Sequence, residues 1–248
     1  MQGSRFEQKY IVTEERALQV RDFIRSRLEL DEHGVGKPNF SYPVHSLYLD
    51  SDDLKLYWGT INGDRERFKL RLRFYDDNPV KPVFFEIKAR MNNKCRTKKR
   101  AAVSREAVEW LLAGDTPRPS HLASDDPEGF AVLKEFCERI HDLQARPRVH
   151  IGYFREAYMS PYNDSARLTI DRGVRAEPEL AARLSTTIQK PTLLWGQDVV
   201  LEMKITDRFP DSFRELISTF GLRQCGAAKY VDSVSTLGEY KFGGPSAT

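Results

Sequence analysis

The run Lys69-Leu70-Arg71-Leu72-Arg73-Phe74 and, beyond Asp76-Asp77-Asn78-Pro79-Val80-Lys81-Pro82, the run Phe85-Glu86-Ile87-Lys88-Ala89-Arg90 alternate charged and apolar residues without a break. A β-strand sends i, i+2 and i+4 to one face. Leu70, Leu72 and Phe74 therefore share one side and Lys69, Arg71 and Arg73 the other. In the second run Phe85, Ile87 and Ala89 oppose Glu86, Lys88 and Arg90. Two such runs around a Pro- and Asp-rich turn predict a hairpin with one face to bury and one to keep wet.

The pattern recurs. Glu7 and Lys9, Arg167 with Asp171, and Glu202 with Lys204 stand in similar alternation, the last pair against Leu201, Met203 and Ile205. Amphipathic helices can bury the apolar faces, so the charged faces converge if the sheet curls, and closure into a barrel would also remove exposed strand edges. Converging cations repel unless an anion neutralises them. Arg forks match phosphate oxygens, Lys adds point charges, and scattered carboxylates can hold a divalent cation that bridges phosphates. A lumen built for oligophosphate and metal is the expectation. For any one strand a solvated face of paired ions describes the same residues, and Glu7 with Lys9 reads equally as a surface ion pair.

Around these runs the sequence predicts a strand at Phe6 to Val12 and a helix capped by Thr13 and running to about Leu30. A loop at Asp31 to Pro43 precedes a strand at Val44 to Leu49, a turn at Asp50-Ser51-Asp52 and a short helical piece to Trp58. The basic segment Lys94 to Arg100 leads into a strand ending near Val103, and Ser104 then caps a helix to about Leu112. A second helix is expected over Glu128 to Leu143. Strands at Arg146 to Tyr158, Ala166 to Asp171 and Val199 to Ile205 follow, with a loop at Asn163-Asp164-Ser165. A last helix spans Asp211 to Phe220, stopped by Gly221, and a disordered tail covers 243–248. The fold class is α+β, a largely antiparallel sheet with helices outside it, in a single domain over 1–242.

The bulk composition narrows the chemistry. The 248 residues are 40% apolar, enough for a core, and 39 basic against 36 acidic residues leave a net charge of only +3. That balance is not one of a protein that coats itself in nucleic acid, so any anion site is local. Cys95, Cys137 and Cys225 lack disulfide or zinc spacing, which suits a reducing compartment. No membrane-length apolar run and no signal peptide is visible, and the expected location is the cytoplasm. There is no P-loop, no GxGxxG and no HExxH, and the five histidines have no ligand spacing. Phosphoryl transfer can run on positioning and electrostatics without a covalent nucleophile.

Arg5-Phe6-Glu7-Gln8-Lys9-Tyr10, Arg71-Leu72-Arg73-Phe74-Tyr75, Phe85-Glu86-Ile87-Lys88, Lys98-Lys99-Arg100, Leu201-Glu202-Met203-Lys204 and Ala228-Lys229-Tyr230, in that order, resemble the triphosphate tunnel (CYTH-like) superfamily. Within it they resemble most the VTC-domain branch, the catalytic domain of vacuolar transporter chaperone polyphosphate polymerases. The resemblance implies an eight-stranded antiparallel barrel that moves the γ-phosphate of ATP onto a growing polyphosphate, with Mn²⁺ or Mg²⁺ as cofactor. It implies phosphate-gripping roles for Lys9, Arg71, Arg73, Lys88, Lys98, Arg155, Arg167 and Lys229. Lys69, Arg90, Arg100, Lys204 and Tyr230 are expected at the substrate. Glu202 resembles the metal-binding carboxylate, and Glu7, Glu86 and Asp171 are further metal or water contacts. Alternation places Lys98 and Arg100, rather than Lys99, on the charged face. Tunnel hydrolases carry an N-terminal ExExK, and Arg5 stands in place of its first Glu, which favours polymerase over hydrolase. A triphosphatase and a non-catalytic polyphosphate or inositol-phosphate binder are the alternatives. Synthesis coupled to export would need a membrane partner protein. The oligomeric state is not set by the sequence.

Overall fold

The computed structural model describes residues 5–91, 95–161, 165–206 and 209–242. The expected tail 243–248, Lys94, and Asn163 and Asp164 of the expected loop lie outside them. Strand β1 (Arg5–Val12) leads into helix α1 (Glu14–Ile24). The Thr13 hydroxyl caps α1 as predicted, accepting from the Arg16 N–H at 3.3 Å, with Glu14 and Glu15 near the positive end of the helix. The helix stops well short of Leu30. The Ile24 carbonyl accepts from the N–H groups of both Arg27 and Leu28, and Glu29–Leu30 forms a short strand, β2, opposite Met159 and Tyr158. Pairing with a strand distant in sequence outweighs helix propensity here.

Strand β3 (Tyr42–Asp50) begins before the expected Val44, and α2 (Lys55–Ile61) follows the turn. β4 (Arg67–Phe74) and β5 (Val83–Met91) form the predicted hairpin, and β6 (Cys95–Val103) pairs along β5. Helix α3 (Ala107–Leu112) is not capped by Ser104, whose hydroxyl instead donates to the His121 carbonyl at 3.2 Å. α4 (Pro127–Leu143) and β7 (Arg146–Met159) fall where expected, whereas β8 (Ala166–Pro178) runs well past Asp171. β9 (Thr192–Leu193) is a brief pairing with β8, followed by β10 (Val199–Thr206) and α5 (Asp211–Thr219). Gly221, at φ +58°, supplies the left-handed residue that ends α5. Helix α6 (Lys229–Leu237) is not anticipated from the sequence, although Tyr230, Val231, Val234 and Leu237 have helical spacing and are buried.

The chain divides into two compact units. The first comprises Met1–Val44, Tyr153–Arg175 and Leu193–Ala228. Its strands are ordered β1-β10-β8-β7, with β2 on β7. Tyr10, Leu168, Ile170, Leu201 and Met203 pack on Ala17, Val20 and Ile24 of α1 and on Phe213 and Leu216 of α5. The second unit comprises His45–Gly152, Ala176–Thr192 and Lys229–Thr248. Its order is β7-β3-β4-β5-β6, and Leu70, Leu72, Phe74, Phe85 and Ile87 pack on Val108 and Leu111 of α3 and on Leu133, Phe136 and Ile140 of α4. In each unit helices therefore cover the apolar face of the sheet, each fully buried side chain contributing about 1.5–3 kcal/mol. The pairing order ends at β1 and at β6. No helix among the described residues is long and apolar enough to cross a membrane.

Candidate functional site

In the second unit, register sorts the charges of β4, β5 and β6 into rows. Lys69 lies opposite Lys88, and Lys88 opposite Lys98; Arg71 lies opposite Glu86, and Glu86 opposite Arg100. At the end of the hairpin Arg90 stands between Arg67 and Arg96. Like charges directly across a strand pair are destabilising, by about 1 kcal/mol in water and several times that where solvent is excluded. The middle row holds the compensating charge. Glu86 is 0% exposed, with Oε2 2.5 Å from both Nε and Nη2 of Arg71. Its Oε1 is 2.8 Å from Lys98 Nζ and 3.5 Å from Arg100 Nε. Burial alone would raise the Glu86 carboxyl, but Arg71, Arg73 and Lys98 outweigh it and hold the group well below the usual carboxylate range.

Lys98 keeps 43% of its side chain exposed, yet desolvation, with Arg71 and Arg100 adding to it against the pull of Glu86, lowers its ammonium to about 8. Lys99 points the other way and binds Glu135 of α4 at 2.5 Å, so the alternation expected for Lys98 and Arg100 holds. Arg73 donates to Ser46 Oγ at 3.1 Å and Lys88 is exposed. Lys229 and Tyr230 open α6. Tyr230 is buried, its hydroxyl donating to Asp50 Oδ2 at 2.6 Å, and Lys69 Nζ lies 6.0 Å from its ring centroid.

The first unit carries a different pattern. Glu7 lies opposite Lys204 and Lys9 opposite Glu202, so the four charges alternate around a square on β1 and β10. Lys204 Nζ is 2.5 Å from Glu202 Oε1, and Lys9 Nζ is 3.3 Å from Glu7 Oε1 while donating to the Ala227 carbonyl at 3.0 Å. On β8, Arg167 and Thr169 continue the rows opposite Lys204 and Glu202. Arg167 does not pair with Asp171. Its Nη2 donates to Asp31 Oδ2 at 2.9 Å, while Asp171 accepts a bidentate pair from Arg155 at 2.7 and 2.8 Å. Arg155 is raised well above its ordinary value, Asp171 outweighing the effect of burial.

Each carboxylate expected at a metal has a cationic partner. Both oxygens of Asp171 are taken by Arg155, and Glu86 serves as the internal counter-charge of the basic rows. Glu202 and Glu7, on the diagonal of the square, are hard oxygen donors of the kind Mg²⁺ or Mn²⁺ takes singly or in pairs, with phosphate oxygens and water completing the shell. Among the described residues no group of three or more His, Cys, Asp or Glu side chains forms a protein-only metal cage.

Sequence reasoning missed Ser46, Tyr48 and Asp50, which lie at i, i+2 and i+4 of β3, with Ser46 and Tyr48 opposite Arg73 and Arg71. Their period of two was visible, but the uncharged Ser46 and Tyr48 carry little signal in an apolar strand, and Asp50 reads as a turn residue. It also missed Glu156, buried in the first unit, which accepts from Arg21, Arg172 and Tyr158 at 2.6–2.8 Å. Thr169 was missed as well. It is 1% exposed, and its hydroxyl has no hydrogen-bond partner among the described residues.

An antiparallel α+β fold with helices on the apolar side of the sheet and cations on the other fits the triphosphate tunnel fold that the sequence resemblance implies. A candidate adenylate cyclase from Bacillus halodurans matches it over 91% of this chain and 94% of its own, with a TM-score of 0.50 at 15% identity. The profile of the VTC domain matches residues 4–238, and the chain belongs to the VTC-domain family. Lower in similarity are the PH1819 protein of Pyrococcus horikoshii, at 10% identity, 93% and 99% coverage and TM-score 0.45, and a Mimivirus capping-enzyme triphosphatase, at 9%, 87% and 88%, and 0.36. No curated protein matches the chain.

Proposed function

We propose that the chain is a polyphosphate polymerase, transferring the γ-phosphate of ATP to the end of a growing inorganic polyphosphate. The observation that carries this reading is the set of basic rows on β4, β5 and β6, six cations (Lys69, Arg71, Arg73, Lys88, Lys98 and Arg100) around the single carboxylate Glu86. Such a face suits a linear polyanion, whose repeating charge matches rows of cations better than any compact anion does. Membership of the VTC-domain family supports the same substrate class, and Arg5 at the head of β1 favours synthesis over hydrolysis.

The terminal phosphate of the polymer is already an anionic nucleophile, so its attack on the γ-phosphorus, with ADP as the leaving group, needs no general base. The work left to the protein is positioning and charge stabilisation. Arg71 and Arg73 present planar forks from a buried strand, and Lys69, Lys88, Lys98 and Arg100 balance charge on the non-bridging oxygens. In the first unit Lys9, Lys204, Arg155 and Arg167 are held by carboxylates, and Glu202 with Glu7 would hold the metal. When bound, Mn²⁺ or Mg²⁺ neutralises phosphate charge. Lys229, Tyr230 and Arg90 complete the proposed substrate contacts. The proposed setting is the cytoplasm, with a membrane partner protein wherever product is exported.

Incubation with ATP and Mn²⁺ or Mg²⁺, followed by gel analysis and phosphate assay, tests the proposal. Long polymer is the expected product; free phosphate would make the chain a triphosphatase, and unchanged ATP a binder. Glu202→Gln should abolish turnover while tripolyphosphate still binds. Normal turnover in that variant would remove the metal assignment.

A further inference from the structure

We infer that Tyr48 is a positioning residue for Arg71, braced through Tyr230 and Asp50; this rests on the phosphate-binding role proposed for Arg71. Arg71 is 4% exposed and meets Glu86 through one carboxylate oxygen, Oε2, which lies 2.5 Å from both Nε and Nη2. A further point of attachment, on the other edge of the guanidinium, is Tyr48, directly opposite on β3, whose phenolic oxygen accepts from Arg71 Nη1 at 3.2 Å. Two acceptors on different edges of a planar guanidinium fix its plane.

Tyr48 is itself held. Its ring stacks on Tyr230 with centroids 5.0 Å apart and planes 18° from parallel. The Tyr230 hydroxyl donates to Asp50 Oδ2 at 2.6 Å, and the Asp50 carboxylate is fixed by the N–H groups of Ser51, Leu56 and Tyr57 at 2.8–2.9 Å. The start of α2, the first turn of α6 and the guanidinium on β4 are thus joined by one chain of contacts. Phenylalanine would fill the space of Tyr48 as well, and a buried phenol needs a partner to offset its desolvation. Arg71 is the partner that the hydroxyl serves.

The charged and titratable groups facing Tyr48 are Lys69, Arg71 and Arg73 from β4 and Tyr230 from α6, with Glu86 of β5 beyond Arg71. Burial alone would raise the Tyr48 phenol, but those three cations outweigh it and the group lies below its ordinary value. Tyr230 is driven the opposite way by burial and by Asp50. An oligophosphate that neutralises the β4 cations must raise Tyr48, and by linkage ionisation of Tyr48 must weaken oligophosphate binding. A side chain without an ionisable hydroxyl beside these cations would show neither effect.

The test follows phenolate absorbance at 295 nm with pH, in the phosphate-free protein and with tripolyphosphate, beside calorimetric affinities. In the phosphate-free protein one tyrosine should ionise below the ordinary value of about 10. That step should vanish in Tyr48→Phe and rise in Arg71→Gln, and tripolyphosphate should raise it in the wild type. Tyr48→Phe should weaken tripolyphosphate binding about tenfold, as for one hydrogen bond to a charged group, and Tyr230→Phe by less. A low step that persists in Tyr48→Phe, or does not respond to Arg71→Gln, overturns the inference. So does undiminished affinity in Tyr48→Phe with wild-type binding intact, which would leave the polymerase proposal standing. A wild type that ignores tripolyphosphate but whose Tyr48 step follows Arg71 would sink the polyphosphate proposal instead and leave the positioning contact supported.

Discussion

Replacing Glu86 by Gln separates the folding role of the basic rows from their binding role. The variant keeps the shape of the side chain and removes the one negative charge among six cations. Arg71, 4% exposed, then faces a neutral amide, as do Lys98 and Arg100. Removing one partner of a buried ion pair typically costs about 3–5 kcal/mol, because the other charge stays buried without compensation. For a chain of this size each kilocalorie moves the melting temperature by about 2–4 °C, so the free protein should melt roughly 6–20 °C lower. Tripolyphosphate supplies the missing anion. Its stabilising shift, read by calorimetry or dye fluorescence at fixed ligand concentration, should therefore be larger in Glu86→Gln than in the wild type. The pH dependence follows from the same pair. The folded Glu86 carboxyl lies below its unfolded value, so its stabilising effect is fully present above about pH 5 and is lost as acid protonates it. Glu86→Gln should flatten the acid limb of the stability curve. An unchanged melting temperature, or a tripolyphosphate shift no larger than in the wild type, would refute the idea that Glu86 holds the place of the ligand's charge.

Lys98→Arg should extend tripolyphosphate binding to higher pH. The wild-type ammonium loses its proton near 8, so affinity should fall above that pH and the Arg variant should not show the inflection; identical calorimetric profiles from pH 7 to 9.5 would discount Lys98 as a contact. Asp171→Asn should destabilise the first unit by about 3 kcal/mol or more, since it strips the bidentate partner from Arg155, and a denaturation midpoint within error of wild type would show the pair to be dispensable. Thr169→Val should leave the stability of the free protein unchanged or slightly higher, because the buried hydroxyl has no partner to lose; a clear drop in urea midpoint would contradict that.

The hairpin at Lys69 to Arg90 was legible because both strands repeat with period two and the apolar set had helices to pack on. Once β6 was placed against β5, the same alternation distinguished Lys98 from Lys99. Other features were hidden because their causes lie far away in sequence. α1 ends at Ile24 because residues 29–31 pair with β7, and nothing in the local sequence announces that partner. Arg167 and Asp171 share a face of one strand, but their partners, Asp31 and Arg155, come from other elements. The Tyr48 and Asp50 supports were missed because a strand reading weighs charge, and neither the Tyr48 hydroxyl nor a carboxylate in a turn stands out until register places it beside Arg71 and Tyr230.

Within the second unit β6 is the last member of the strand order, and apart from the bridge of Val103 to Leu122 no described strand of that unit pairs with its outer side. Bare strand edges recruit further strands from other molecules, and charged side chains, lysine above all, are the usual protection. The charges on this strand, Lys98 and Arg100 on the positive face and Lys99 on the other, are of the kind that guards such an edge. Charge-removing variants of this strand risk precipitation, so a loss of activity in them has to be read beside the concentration of monodisperse protein. Exchanges that keep the charge, Lys to Arg or Arg to Lys, avoid the confusion.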